Sequence, residues 1–192
     1  MGTTEAAAQP GVLYVSKMPP IGTAPNFSSE ATWVGNVVPP SGSSIQIVEN
    51  SVVVLDVDNY TFGVVNVTVG GSLDLGANTV TITDYLVNNG TLTASSSTVV
   101  FNSTVADNSS GQPTCDGVAA ITFNDVQIPS SAVVDFGSGA IGAEPNTEAY
   151  VNGTLSMDGG AVVLYPPFYG GASTLKYNDD YTVSTEWTKN DA

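Results

Sequence analysis

The chain contains an internal repeat, which limits the choice of fold more than any other feature of the sequence. The segment NNGTLTASSSTVVFN at residues 88–102 has a counterpart in NGTLSMDGGAVVLY at residues 152–165. With the preceding residues included, residues 60–102 and 121–165 form two copies of one unit. Both copies keep apolar residues at alternate positions while their polar residues differ. This predicts that the two copies build the same kind of structure.

Nearly the whole chain has the pattern of short β-strands. Segments such as SIQIVENSVVVLDVD alternate apolar and polar residues with a period of two and are rich in β-branched residues. Gly, Asn or Ser interrupts them about every five to ten residues. Such frequent turns favour an all-β solenoid, a right-handed parallel β-helix of about 20 residues per coil, with about three coils in each copy. A β-sandwich or jelly roll is the alternative.

We expect the core to consist of the apolar residues at alternate positions of the two copies. In the first copy these are Val65, Val67, Leu73, Leu75, Val80, Leu92, Val99 and Phe101, and in the second they are Val126, Ile128, Val134, Phe136, Ile141, Leu155, Val162 and Leu164. We attribute the Asn and Gly residues of the turns to their tolerance of a positive φ.

The charge of the chain argues against several classes of partner. Its 192 residues include 18 acidic residues, three Lys and no His, for a net charge of −15. Such a surface repels phosphate and anionic lipid, so we expect neither nucleic acid nor a membrane surface as a partner. No apolar run reaches the roughly 18 residues of a membrane span. We expect an extracellular or cell-surface protein, either already processed or cut from a larger one.

The amino-terminal segment, 1–32, is predicted to form an extended arm or linker, followed by one solenoid domain over 33–192. The segment GVLYVS, within a proline-bounded stretch, has the pattern of a single strand. It could add to the exposed edge of a neighbouring copy, and the residues proposed for this self-association are Val12, Leu13, Tyr14 and Val15. The alternative is that the same segment folds back on its own first coil.

The sequence contains few of the residue types that catalyse reactions. Without His or Arg, proton transfer would depend on three lysines outside the repeated units, so we expect no enzyme. Asp56 and Asp58, two positions apart, are predicted to share one strand face, either as a Ca²⁺ or glycosidase pair or as a solvated surface. No cofactor is expected apart from Ca²⁺, for which the oxygen-rich turn Asn178, Asp179 and Asp180 is the candidate site.

Three further sets of residues have candidate roles. Asn-x-Ser/Thr sequons, which mark possible glycosylation sites, occur at Asn26, Asn59, Asn66, Asn89, Asn102, Asn108 and Asn152. Candidate aromatic contacts for a polysaccharide, or caps for the last coil, are Tyr165, Phe168, Tyr169, Tyr177, Tyr181 and Trp187. The single cysteine, Cys115, has no partner for a disulfide and is interpreted as an incidental loop residue.

Residues 32–102, beginning TWVGNVVPPSGSS and ending NNGTLTASSSTVVFN, resemble the opening of right-handed β-helix domains in extracellular bacterial proteins, notably surface and adhesin-like proteins of the Bacteroidetes. The resemblance includes a Trp-x-Gly motif followed by proline, here Trp33, Gly35 and Pro39 or Pro40. The late segment PPFYGGASTLKYNDDYTVSTEWT is also similar to such domains. The resemblance implies a β-helix fold and a surface location, but no particular chemistry.

The sequence therefore leaves three functional hypotheses. The first is a non-catalytic structural or adhesive module of the cell surface, or a filament subunit, that assembles end to end with itself or with neighbouring modules. The second is a β-helix protein that binds or modifies carbohydrate. The third is a virion or archaeal filament subunit joined by strand donation.

Overall fold

The computed structural model describes residues 12–20, 23–104, 114–136, 149–158, 161–163, 166–171 and 173–178. The first eight strands are β1 Leu13–Val15, β2 Ser43–Ile47, β3 Val52–Val54, β4 Tyr60–Val67, β5 Ser72–Asp74, β6 Thr79–Ile82, β7 Leu86–Asn88 and β8 Thr91–Phe101. The others are β9 Cys115–Asp116, β10 Ile121–Ile128, β11 Val133–Val134, β12 Ala149–Val151, β13 Thr154–Met157, β14 Val162–Val163, β15 Phe168–Tyr169 and β16 Thr174–Tyr177. A 3₁₀ helix, Glu30–Thr32, lies between β1 and β2.

The strands pair in parallel with the strands of the neighbouring coils, which is the arrangement of a β-solenoid. Tyr60 lies opposite Val80, and Val80 lies opposite Val99, so these two coils have nearly the same length, close to the one predicted from the turns. Val126 then lies opposite Val99 and Leu155 opposite Val126, which makes the next two coils almost half as long again. The predicted all-β solenoid is confirmed, and the β-sandwich alternative is wrong because its sheets would be antiparallel.

Each coil has three faces, which we define by their strands. Face A contains β6, β13 and β16 with the adjoining parts of β4, β8 and β10. Face B contains β1, β2, β7 and β9 with the second part of β4. Face C contains β3, β5, β12 and β15 with the first parts of β8 and β10. A second, two-stranded sheet consists of β11 and β14.

The interior of the coils is a continuous column of apolar side chains. The eight core residues predicted for the first copy are all buried, and so are Val126, Ile128, Val134, Phe136 and Leu155 of the second. Ile141 and Leu164 lie outside the described residues. Because each Å² of buried apolar surface contributes about 25 cal/mol, this column is the main stabilising term of the fold.

The prediction that Val162 belongs to the core is wrong. Its side chain is 38% exposed, whereas the next residue, Val163, is buried. The two copies also differ in the places that they occupy on the coil. Val65 lies on face B, but its counterpart in the repeat, Val126, stacks on Val99 of face A. The repeat thus preserves the alternation of strands and turns rather than the position on the coil, and each copy spans about two coils rather than three.

The glycines of the Asn-Gly turns have a different role from the one predicted. A positive φ does occur at Asn50, Asn59 and Gly70, at 59°, 54° and 75°. Gly90, in the repeated segment NNGTLTASSSTVVFN, does not have a positive φ. Its Cα instead lies so close to the preceding coil that an added Cβ would be 2.4 Å from the carbonyl oxygens of both Gly71 and Thr68. Gly90 is required because one turn stacks directly on another.

Candidate functional site: the amino-terminal end of the solenoid

Residues 12–20 and 23–32, the described part of the amino-terminal segment, are folded onto the first coil. Strand β1 lies parallel to β2, with Tyr14 opposite Ile45. Residues beyond the 3₁₀ helix then return across the outer side of β1, where the Val34 N–H donates to the Val15 carbonyl at 2.9 Å and Ser16 forms an antiparallel bridge with Trp33. Part of the outer edge of β1 is therefore already paired within the chain.

A cluster of aromatic side chains fixes this end to the core. Trp33 is fully buried, and its Nε1–H donates to the Phe27 carbonyl at 2.8 Å. The Phe27 ring packs edge-on against Trp33 and Tyr60, with centroid distances of 5.1 and 4.8 Å. The Tyr60 hydroxyl donates to the Pro39 carbonyl, and burial raises the pKa of Tyr60 well above its ordinary value. These contacts make the end a packed cap on the solenoid.

The outer surface of the same region is unusually apolar. Leu13, Met18, Val34 and Val37 are 46–66% exposed, and Val69 in the next coil is 69% exposed. Among the described residues, eight large apolar side chains are exposed. Six of them belong to residues 13–69, and two lie farther along the chain. We call Leu13, Met18, Val34 and Val37 the apolar end. Exposed apolar side chains in the segments that cover one end of a solenoid are typical of a contact surface.

A groove opens beside the apolar end. It has a volume of about 500 Å³, and it is lined by Met18, Pro19, Pro20, Thr23, Asn50, Val52 and Gly70. Prolines fix φ and lack an N–H, so the wall formed by Pro19 and Pro20 is preorganised and presents few donors. The groove is therefore suited to an apolar segment rather than to a polar metabolite.

The structure places the residues predicted for self-association in β1 and immediately before it. Leu13 is 49% exposed, whereas Val12, Tyr14 and Val15 are half-buried. The segment pairs with its own first coil, which is the alternative that the sequence left open. Self-association stays a prediction, and Met18, Val34 and Val37 now join its candidate residues. The sequence pattern missed these three because single apolar residues in a proline-bounded segment have no period.

The predicted calcium site is only partly described. Asp179 and Asp180 lie outside the described residues. The Asn178 amide donates to the Asp158 carboxylate of the preceding coil at 2.8 Å. In the part of the chain that the structure describes, no three His, Cys, Asp or Glu side chains come together as metal ligands. Calcium binding therefore stays a prediction for this turn.

The Asp56 and Asp58 pair is not on one strand face, because both residues lie in the connection between β3 and β4. The Asp56 carboxylate accepts hydrogen bonds from the Ser28 N–H at 2.9 Å and from the Ser28 hydroxyl at 2.5 Å. Burial acts to raise the pKa of Asp56, but these bonds outweigh it and lower the pKa. The Asp58 carboxylate accepts hydrogen bonds from the Thr79 N–H, at 2.7 Å, and from the Asn59 N–H. These two bonds lower the pKa of Asp58. Each carboxylate is therefore hydrogen-bonded to a segment that is distant in the sequence, Asp56 to the one that contains Ser28 and Asp58 to the one that contains Thr79.

The sequons differ in their accessibility. Asn26, Asn59, Asn102 and Asn152 are exposed, Asn66 and Asn89 are half-buried, and Asn108 lies outside the described residues. The Asn66 Oδ1 is buried without a hydrogen-bond partner, so Asn66 is the poorest acceptor among those described. Glycosylation stays a prediction for all seven.

The predicted aromatic and cysteine residues have distinct environments. Tyr169 and Tyr177 pack against the core, whereas Phe168 stacks on Tyr150, a residue that the sequence did not single out. Tyr165, Tyr181 and Trp187 lie outside the described residues. Cys115 is a fully buried residue of β9 and not a loop residue. Burial, followed by the nearby Asp135 and Asp116, raises the pKa of its thiol well above the ordinary value, which makes the thiol unreactive.

Comparison with known proteins identifies the family of the chain. The model of the G8 domain matches residues 32–163, which is more than half of the sequence and includes Trp33 and most of the described coils. G8 domains are typically extracellular. No curated protein and no solved structure matches the chain significantly, and the described residues contain no helix that could cross a membrane. The extent of the family match shows that this chain belongs to the G8 domain family.

Proposed function

We infer that this chain is a non-catalytic structural module of an extracellular surface protein or filament, and that it associates end to end through its amino-terminal end. The observation that carries this proposal is the concentration of exposed apolar side chains at that end. The family membership supports the extracellular location. The resemblance to bacterial adhesin-like domains supports a surface role.

An open solenoid favours contacts at its ends for a physical reason. The strands of internal coils are paired on both sides, but the first and last coils expose backbone N–H and C=O groups that another strand can satisfy. At the first coil, β1 is paired with β2 on one side and is crossed by Val34 on the other. At the last described coil, Leu175 and Tyr177 of β16 point inward but are only partly buried. Each end thus retains apolar surface that a neighbouring module could cover.

The net charge of the chain should make this association depend on ionic strength. A net charge of −15 makes two copies repel each other, and salt screens this repulsion beyond the Debye length, which is about 8 Å at physiological ionic strength. Apolar contacts are not weakened by salt. We therefore expect association to strengthen as the ionic strength rises, in contrast to an interface held by ion pairs.

The test is a measurement of molar mass by light scattering over a range of protein and salt concentrations. We expect assemblies of the unaltered chain, seen also as linear particles by electron microscopy, and we expect Met18→Glu and Val34→Glu to dissociate them. Val118→Glu is the matched control, because Val118 is 71% exposed but lies in the turn after β9. A chain that stays monomeric at high salt and high concentration would contradict the proposal, and so would equal effects of the three substitutions.

A further inference from the structure

The outer surface of face B carries apolar side chains. Val65 of β4 lies opposite Leu86 of β7, and both side chains are buried in the core. Because successive residues of a strand point to opposite sides of the sheet, the neighbouring residues Val64, Tyr85 and Val87 point outward. Each of these three side chains is half-buried. Face B is therefore apolar on its outer side as well as on its inner side.

This apolar surface extends to the first coil. Val15 of β1 also points outward, because its neighbour Tyr14 packs against the core. The Val15 carbonyl accepts the Val34 N–H at 2.9 Å, so the surface is continuous with the apolar end. We call its four outward apolar residues the face B patch, which consists of Val15, Val64, Tyr85 and Val87.

Face A shows that the solenoid does not require apolar residues at outward positions. Thr79 lies opposite Thr98, and Thr154 lies opposite Thr174. All four point outward, since the residue that follows each of them packs in the core. A parallel sheet with apolar residues on both sides is typical of a sheet that is covered on both sides. The face B patch is therefore best explained as a surface that a partner covers.

The distribution of charge identifies the partner that fits. The polar residues within the patch, Gln46 and Asn66, are neutral. The acidic residue at an outward position of β9, Asp116, is only 8% exposed. Face A, in contrast, carries Asp125 and Lys176 at outward positions. In a chain with a net charge of −15, face B is thus the side on which a second copy meets the least repulsion, and that copy offers the same apolar surface in return.

The size of the patch determines how two copies can use it. The five strands of face B span roughly 19 Å along the solenoid axis and about 10 Å across it, an area of roughly 200 Å². A standard interface covers about 800 Å² on each partner, so one such contact is weak. Contacts that repeat along two rows of chains act together and become strong.

We propose that the face B patch joins chains side by side, patch against patch, between rows that are already joined end to end. The proposal rests on the proposed function, which supplies the rows. A surface that pairs with its own copy forms a closed, two-fold contact, so each substitution acts on both partners. The two sheets would pack about 10 Å apart.

The test is electron microscopy of the linear particles, with their width as the readout. We expect the unaltered chain to form particles two chains wide. Val87→Glu should give particles of half that width and equal length, because each contact would then bury two carboxylates. Gln127→Glu is the matched control, since Gln127 is exposed on face A and acquires the same charge. Val87→Thr keeps the β-branched shape, so the fold is retained, and it should make double-width particles severalfold rarer.

A second measurement separates this proposal from the end-to-end association. Because Met18→Glu blocks the apolar end, sedimentation should show dimers of this variant and nothing larger at about 1 mM protein. Adding Asp84→Asn should strengthen the dimer severalfold, because Asp84 lies in the turn just before β7, at the margin of the patch.

The possible outcomes are distinct. Single-width particles of the unaltered chain, or double-width particles of Val87→Glu, would overturn the side-by-side contact and leave the end-to-end association standing. A Met18→Glu variant that stays monomeric at about 1 mM would also overturn it. If the unaltered chain forms no linear particles, the end-to-end association fails, and dimers of Met18→Glu that Val87→Glu dissociates would still support the face B patch.

Discussion

Replacing Gly90 by alanine tests whether turns that stack directly on each other limit the sequence of this solenoid. The added Cβ would be 2.4 Å from the carbonyl oxygens of Gly71 and Thr68 and 3.0 Å from a Val67 methyl group. Carbon and oxygen atoms in contact lie about 3.3 Å apart, so the two coils would have to separate by roughly 0.9 Å at this corner.

The expected cost follows from that separation. The Asn89 N–H donates to the Val67 carbonyl at 2.8 Å, and the Thr91 N–H donates to the Gly71 carbonyl at 2.9 Å. Lengthening both by about 0.9 Å would exceed hydrogen-bonding distance, at a net cost of roughly 1 kcal/mol each, and overpacking adds about 1–3 kcal/mol. The reduced entropy of the unfolded chain offsets about 0.4–1 kcal/mol. We therefore expect Gly90→Ala to lower the free energy of unfolding by about 2–4 kcal/mol.

The assay is urea denaturation followed by far-ultraviolet circular dichroism. Gly171→Ala is the matched control, because Gly171 lies in an exposed turn where an added Cβ would meet nothing within 4 Å. We expect this variant to be unchanged or slightly more stable than the unaltered chain, by up to about 1 kcal/mol. If Gly90→Ala and Gly171→Ala had the same stability, the close approach of the turns would not be the reason for glycine at position 90.

Three other results are expected. The lowered pKa of Asp56 gives a stabilisation that is present above the pKa of the unfolded carboxyl, about 3.9, and is lost as the pH falls through the lower folded value. The Asp56→Asn variant should therefore be less stable than the unaltered chain at pH 7, with little difference at pH 2. A loss of stability of equal size at both pH values would refute the link to Ser28. Iodoacetamide should modify Cys115 only after unfolding, as measured by mass spectrometry, and rapid modification of the folded chain would show that β9 opens. If Asp179 and Asp180 bind Ca²⁺, EDTA should lower the melting temperature, and an unchanged value would exclude a structural ion there.

The strands and most of the core were predictable because both depend on local alternation. A period of two identifies the inward residues of a strand whichever face of the coil the strand occupies, so the prediction for Val65 and Leu155 holds although they lie on different faces. Val162 fails because β14 contains two residues, and alternation within so short a strand cannot be distinguished from a shift by one position.

The candidate surfaces were less predictable because they depend on which residues different coils bring together. Val64 and Tyr85 are separated by a whole coil in sequence and become neighbours only through the pairing of β4 with β7, and the sequence does not reveal the register of that pairing. Met18 and Val52 line one groove for the same reason. Asp56 and Asp58 have the spacing of a strand, but they follow β3 after its end, and each accepts a hydrogen bond from a residue distant in sequence.

The parallel pairing of successive coils also determines how this molecule would respond to mechanical load. Backbone hydrogen bonds between coils run along the solenoid axis, so a pull along that axis loads them one coil at a time rather than all together. Each coil of about 20 residues that peels away would release roughly 65 Å of chain. A surface module with this architecture would therefore lengthen in discrete steps under tension and dissipate energy at each step, while the remaining coils keep their shape and their lateral contacts.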